Sequence, residues 1–339
     1  MMPRIVRTDC ELECPLVDET LRVLPSDLVL LPESVTEADL VEAVRDASLI
    51  LVCYTQITAA VLEAARNLKG IIKYGVGIDA IDLAAAQARH IPVVNIPEYA
   101  EETVAEGAFA LMIALSRKLK PLIRTMERDG WAWPTQCWRG NDLAGRTLGL
   151  VGTGRIGKSL ARMAGSGFRM RVLGFDPYVD AATMAAAGIE KRTDLEDMLA
   201  ACDVVSLHMV LNDETRGLFG TPQLAAMQPH ALLINVSRGA LVDEAALAVA
   251  LAEGRIGGAG LDVFSEEPLK RSGHPLSRLF DMDNVILSPH LTFYTKEAME
   301  RLERETLQRC MEILQGRPLL VKSRDPRLRS QTSGVCFSD

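Results

Sequence analysis

Short apolar runs alternate with stretches of helical apolar spacing along the first hundred residues. Residues 4–8 (RIVRT) and 28–31 (LVLL) predict strands, and residues 36–47 predict a helix with Thr36 as its N-cap. SLILVC at 48–53 predicts a strand, 58–68 a helix, and GIIK at 70–73 and residues 91–96 two further strands. Strands buried on both faces read as unbroken apolar runs, because helices cover the sheet above and below. A first α/β domain is therefore expected. From Glu101 to about Arg128 a helical pattern runs on, and Pro121 should kink or divide it. This helix is expected to bridge the two domains.

The same alternation resumes at Thr147. Apolar runs at 147–151, 170–175, 204–208, 231–235, 258–262 and 284–287 predict six strands, interleaved with helices near 181–187, 194–201, 221–227 and 243–253. Six strands with helices between them predict a doubly wound nucleotide-binding sheet. Residues 295–315 form an amphipathic pattern rich in Glu and Arg, expected to return to the first domain. The tail after Gly316 is polar, Arg-rich and aperiodic, and is expected to wrap the surface or to lack order.

A chain of 339 residues exceeds what one core usually supports, which agrees with two domains. The net charge of −8 argues against a general nucleic-acid or anionic-membrane surface. No apolar signal core opens the chain and no apolar run reaches the length of a membrane span, so a cytoplasmic location is expected. Seven cysteines at irregular spacing do not make a disulfide framework, and Cys10 and Cys14 lack a second Cys/His pair, so no metal is expected. Trp131, Trp133 and Trp138 crowd one segment; they are expected in a core or a subunit contact.

The first chemistry-bearing stretch is TLGLVGTGRIG, residues 147–157. Gly152, Gly154 and Gly157 have the spacing G-x-G-x-x-G between a strand and a helix start, where a tight turn and unpaired N–H groups, with Arg155 and Ile156 among them, would take a pyrophosphate. Asp176 closes the next strand 19 residues beyond Gly157, where a carboxylate would accept a ribose hydroxyl and repel a 2′-phosphate. NAD is expected in preference to NADP.

Later strands end in reactive residues: Asn235-Val236-Ser237-Arg238-Gly239, then Asp262 followed by Glu267-Pro268, then Ser288-Pro289-His290. Strand ends are where such a sheet places its ligand. A nicotinamide moves a hydride, so the protein must hold the substrate and handle one proton. Arg238 offers a fork for a carboxylate or carbonyl oxygen, His290 a group that gives and takes a proton near neutrality, and Glu267 a carboxylate to orient the imidazole. The other histidines, His90, His208, His230 and His274, receive no catalytic role. In the first domain Lys73-Tyr-Gly-Val-Gly-Ile-Asp79 follows a strand end, and reads equally as a ligand loop or as a turn in which Asp79 or Asp82 caps a helix.

The ordered set TLGLVGTGRIG, Asp176, INVSRG, LDVFSEEP and SPH resembles the D-isomer-specific 2-hydroxyacid dehydrogenase family over residues 4–320. The resemblance implies an NAD-dependent enzyme acting on a small 2-oxo or 2-hydroxy acid, with Arg238, Glu267 and His290 as its catalytic set. It implies that Asp262 holds the nicotinamide carboxamide and that Val236, Ser237, Arg238 and His290 line the cofactor. Lys73, Val76, Gly77 and Phe293, with Arg238 and His290, are implied as substrate contacts. The implied fold is α/β with two Rossmann-like domains, doubly wound parallel sheets and a cleft between them: residues 103–294 bind NAD, and 1–102 with 295–339 bind substrate. A homodimer through the NAD domains is also implied. Within the family, PHLTFYTKEAM and GFDPY look most like the C-terminal-binding-protein and phosphoglycerate-dehydrogenase-like branch. The C-terminal-binding proteins act as NAD-sensing corepressors; they carry Trp where this chain has Phe293 and Arg where it has Lys73.

Overall fold

A computed structural model describes residues 2–338; Met1 and Asp339, the ends of the expected substrate domain, lie outside the described residues. The chain divides into two compact units, Met1–Ala100 with Thr295–Asp339, and Glu101–Tyr294.

In the first unit β1 (Arg4–Arg7), β2 (Asp27–Leu30), β3 (Ala47–Val52), β4 (Ile71–Lys73) and β5 (Val93–Asn95) form one parallel sheet in the order β2-β1-β3-β4-β5. Helices start where short polar side chains accept the orphan N–H three residues on: Thr36 from Asp39, Thr58 from Val61, Asp82 from Ala85. One helix, Pro15–Val23, has no counterpart in the apolar pattern, because only Val17 and Leu21 are buried and acids flank them.

Of the two alternatives for the tail, lack of order fails. β13 (Leu319–Val321) and β14 (Val335–Phe337) pair in parallel, and Leu319, Val321 and Leu328 are buried. Arg309, buried in the helix Lys296–Leu314, donates to the Leu320 carbonyl at 3.0 Å and pairs with Glu312 at 3.1 Å. Gln331 accepts from the Val93 N–H at 2.6 Å and donates to the Val93 carbonyl at 2.8 Å. An aperiodic, Arg-rich segment is thus ordered by hydrogen bonds that apolar periodicity does not encode.

In the second unit β6 (Thr147–Val151), β7 (Arg171–Phe175), β8 (Glu190–Arg192), β9 (Val204–Leu207), β10 (Leu232–Asn235), β11 (Gly258–Leu261) and β12 (Val285–Leu287) form a parallel sheet in the order β12-β11-β10-β9-β6-β7-β8. Six of the seven were expected. The seventh, β8, is a polar outer strand, EKR, that presents no apolar run. The order reverses at β6, which sets a ligand crevice at the carboxyl ends of β6 and β9. The helix Glu101–Ser116 covers β10 and β11, and Leu111 and Leu115 sit over Gly260, where a Cβ would stand 3.0 and 3.3 Å from them. Each such buried leucine contributes about 1.5–3 kcal/mol.

The long helical pattern from Glu101 is two helices, Glu101–Ser116 and Leu119–Asp129, and the break precedes Pro121. Pro121 lies in the first turn of the second helix, where its missing N–H costs nothing, while Lys118 takes the left-handed turn at φ +52°. The core alternative for the tryptophans fails for two of them. Trp131 and Trp133 are 61% and 75% exposed, packed edge to face at 6.2 Å.

Candidate active site

The glycine-rich turn has the geometry of a pyrophosphate cradle. Gly152 holds φ +91°, and a Cβ there would stand 2.7 Å from the His208 backbone, so only glycine fits. A Cβ at Gly157 would meet the Gly152 carbonyl at 2.6 Å, which lets the helix Arg155–Arg162 start tight against the turn. At Gly154, the N-cap, a Cβ would meet nothing within 4 Å. No side chain caps this helix, so its first N–H groups point at a phosphate position. Arg155 is drawn aside by an ion pair to Glu101 at 3.1 Å.

Asp176 closes β7 and turns back onto this cradle. It accepts from the Thr153 N–H at 2.9 Å and from the Tyr178 N–H at 3.0 Å, which sets its carboxylate beside the turn where a ribose would lie. These residues fit a dinucleotide.

After β10, Asn235 shapes the turn that delivers Arg238: its Oδ1 accepts from the Ser237 N–H at 3.1 Å and its Nδ2 donates to the Arg238 carbonyl at 2.8 Å. Ser237 donates to the Leu207 carbonyl at 2.7 Å, and the arginine's Nη1 donates to the Ser237 carbonyl at 2.6 Å. Val236 is buried beside them. Gly239 lets two loops touch, since a Cβ there would stand 1.9 Å from the carbonyl carbon of Phe264. The loop after β11 is thereby held against the arginine turn.

Glu267 closes that second loop. Its Oε1 accepts from the Phe264 N–H at 2.9 Å and its Oε2 lies 2.8 Å from Nδ1 of His290. Burial pushes the Glu267 carboxyl up, but the hydrogen bond and charge of His290, the Phe264 N–H and the charge of Arg238 outweigh it and hold the carboxyl below its usual value. Glu267 is therefore ionised at neutral pH. Arg238, Glu267 and His290 come together in one unit, as the strand-end pattern predicts.

His290 has left-handed backbone, φ +57°, which a non-glycine residue keeps only when its neighbours over-determine it. Asp262 supplies that restraint. Fully buried at the end of β11, it accepts from the Ser288 hydroxyl and the Leu291 N–H on Oδ1, at 2.6 and 3.0 Å. Its Oδ2 accepts from the Thr292 N–H at 3.0 Å and the Thr292 hydroxyl at 2.6 Å. Four bonds fill the four lone-pair positions of a carboxylate, so in this arrangement Asp262 fastens the loop that carries His290. Phe293, buried, stands edge-on to the imidazole at 6.2 Å.

In the first unit Lys73 ends β4, 6% exposed. Its Nζ donates to Cys53 Sγ at 3.3 Å and lies 5.6 Å from the Tyr54 ring centre. Among the described residues no carboxylate stands within ion-pair distance of this ammonium, a state that an anionic ligand would relieve. Asn95 Nδ2 donates to the Val76 carbonyl, and among the described residues nothing accepts from the N–H groups of Val76 and Gly77. Asp82 caps the following helix, as the turn alternative had it, while the loop before it keeps those donors.

His208, directly after β9, stands beside the glycine-rich turn. Its Nε2 lies 2.8 Å from the Ser206 hydroxyl, its backbone walls the Gly152 turn, and burial pushes its pKa down to about 4, so the ring is neutral.

The fold and this edge define a dinucleotide-binding α/β protein with an Arg, Glu and His gathered at the carboxyl edge of the sheet. Residues 109–292, more than half of the chain, match the model of the D-isomer specific 2-hydroxyacid dehydrogenase NAD binding domain. The chain belongs to the D-isomer specific 2-hydroxyacid dehydrogenase family. It is similar to the D-3-phosphoglycerate dehydrogenase of Methanocaldococcus jannaschii, 35% identical over 317 residues that cover 93% of this chain and 58% of that protein. It is also similar to the glyoxylate reductase of Korarchaeum cryptofilum, 38% identical over 86% of this chain and 87% of that one. The D-lactate dehydrogenase of Aquifex aeolicus, solved with NAD and lactic acid, superposes with a TM-score of 0.82 at 30% identity, covering 92% of this chain and 96% of that one. The chain thus spans little more than half the length of the phosphoglycerate dehydrogenase it resembles.

Proposed function

We propose that this protein is an NAD-dependent D-2-hydroxyacid dehydrogenase that interconverts a small 2-oxo acid and its 2-hydroxy acid. The observation that carries the reading is the contact of His290 Nδ1 with Glu267 Oε2 at 2.8 Å, on a loop fastened by Asp262. The Gly152–Gly157 turn and Asp176 would hold NADH, which would supply the hydride for the carbonyl carbon. Arg238 holds the substrate carboxylate and polarises the carbonyl. With Nδ1 facing Glu267, the imidazolium gives its proton to the carbonyl oxygen from Nε2, and in the reverse direction takes it back there. Glu267 orients the ring through Nδ1. Lys73 and the N–H groups of Val76 and Gly77 are assigned to the substrate carboxylate, and Phe293 to the wall beside the imidazole.

The second unit takes the role of NAD domain and the first that of substrate domain. Asp176 favours NAD over NADP, and its place beside Thr153 supports that preference. Exposed Trp131 and Trp133 support a homodimer through the second unit, because such apolar surface is costly in water; a monomer in sedimentation at micromolar concentration would exclude it. A cytoplasmic location is supported by seven free cysteines; among the described residues no helix is long and apolar enough to cross a membrane.

The rival reading, an NAD-sensing binding protein like the C-terminal-binding-protein corepressors, is disfavoured by the complete Arg, Glu and His set. A turnover panel with NADH and glyoxylate, hydroxypyruvate, phosphohydroxypyruvate and longer 2-oxo acids decides between them. Turnover of at least one, reduced roughly 10²- to 10⁴-fold in His290→Asn, is expected. No turnover on the whole panel would move the protein to the rival class.

A further inference from the structure

At the carboxyl end of β1, Asp9 is 1% exposed and holds a left-handed backbone, φ +57°. Its carboxylate is saturated. Oδ2 accepts from the Cys53 N–H at 2.8 Å and from the Thr8 hydroxyl; Oδ1 accepts from the Thr55 N–H at 3.0 Å and the Thr55 hydroxyl at 2.8 Å. Three of these donors belong to one turn, Cys53-Tyr54-Thr55, where the chain leaves β3.

That turn walls Lys73. Cys53 is the thiol that receives the ammonium, and Tyr54 is the ring beneath it. Gly75 closes another side, since a Cβ there would stand 2.7 Å from Nζ. Asp9 is braced in turn from behind. The Tyr74 hydroxyl donates to the Thr8 carbonyl, Arg7 Nη1 donates to that hydroxyl at 3.2 Å, and Arg7 forks onto Asp18 with two bonds of 2.8 Å. With every lone pair engaged, Asp9 has none left for a metal or a substrate. Desolvating a carboxylate merely to hold a turn is expensive, so the turn's exact placement is what it secures.

We propose that Asp9 is a positioning residue for substrate binding: it fixes the 53–55 turn and, through it, the direction in which Lys73 presents its ammonium. The proposal rests on the reading of Lys73 as the anchor of the substrate carboxylate. Lysine is a point charge on a flexible stem and does not aim itself as a guanidinium fork does. Its aim comes from Cys53, Tyr54 and Gly75. Burial pushes the Cys53 thiol up, which keeps it neutral and leaves the positive charge for the ligand.

Asp9→Asn keeps the shape but turns one acceptor into an amide donor facing N–H groups. In steady-state reduction at saturating NADH, KM for the 2-oxo acid should rise about tenfold or more, with kcat within about threefold and NADH affinity unchanged. Thr55→Val, which drops one hydroxyl bond, should raise KM in the same direction, and Thr55→Ser should restore it. These two variants carry the test if Asp9→Asn does not fold. Lys73→Ala supplies the reference. A raised KM in Lys73→Ala beside an unmoved KM in the Asp9 and Thr55 variants overturns the proposal and spares the anchor. An unmoved KM in Lys73→Ala overturns both. Parallel losses of KM, kcat and NADH affinity in Asp9→Asn would make Asp9 a general structural residue and overturn it too.

Discussion

Replacing Glu267 by Gln isolates the carboxylate's charge from its shape. The amide can still accept from the Phe264 N–H and still reach the imidazole, so the loop stays put while one negative charge beside Nδ1 disappears. Two unit charges about 4 Å apart interact by about 4 kcal/mol at an effective dielectric of 20 and about 1 kcal/mol in bulk water. The side chains of His290 and Glu267 are 26% and 31% exposed. Solvent screening brings the value to about 1–2 kcal/mol, roughly tenfold in rate. In oxidation positive charge develops on the ring as it takes the proton, so Glu267→Gln should lower kcat/KM for oxidation about tenfold. With the overall equilibrium fixed and NADH affinity unchanged, kcat/KM for reduction should fall by the same factor. Because the Glu267 carboxyl is held below its usual value, it stays ionised at neutral pH. The stability that its depressed value confers is present above the unfolded carboxyl range and is lost as pH falls through the folded value; Glu267→Gln should lack that acid sensitivity. The measurement is kcat/KM in both directions at neutral pH in both proteins, with NADH affinity as the control. An unchanged kcat/KM removes Glu267 from the proton's chemistry.

Three further outcomes are expected. NADH should be preferred to NADPH by a factor on the order of 10², and Asp176→Ala should narrow that ratio; equal use of both cofactors by the unaltered protein would refute the role of Asp176. Gly239→Ala forces a Cβ to 1.9 Å from the Phe264 backbone, which cannot move as a side-chain tip can. Denaturant unfolding should show a loss of about 2 kcal/mol or more, and an unchanged midpoint would contradict the close approach. Asp262→Asn exchanges acceptors for a donor where two backbone N–H groups converge. It should cut kcat by more than about tenfold through the His290 loop while leaving NADH affinity within about threefold; a matching rise in NADH dissociation constant would return Asp262 to the carboxamide.

The two sheets were legible because parallel strands buried on both faces leave unbroken apolar runs, LGLV and LLIN among them. Arg238, Glu267 and His290 were legible because strand ends are countable. What escaped was fastened by polar groups. Asp9 is one residue among many acids and Asp262 stands out only as an acid at a strand end; the fold alone reveals how each carboxylate gathers four donors. Strand β8 and the tail escaped for a related reason: one is an outer strand without apolar residues, the other is held by Arg309 and Gln331. His208 escaped because its environment, and not its neighbours in sequence, makes it neutral.

Gln331 gives the tail a protective meaning. β5 is the outermost strand on its side of the first sheet, and the outward N–H and carbonyl of an edge residue are an open template for a foreign strand. The Gln331 side-chain amide engages both groups of Val93 as a neighbouring peptide bond would, and the same amide nitrogen donates to the Leu328 carbonyl at 2.9 Å. A single side chain thus acts as a counterfeit strand, one residue long, too short to be extended by another molecule. Chains cut at Gly316 would keep both sheets but expose that edge, and their failure would be a matter of self-association in the test tube before it was one of lost catalysis.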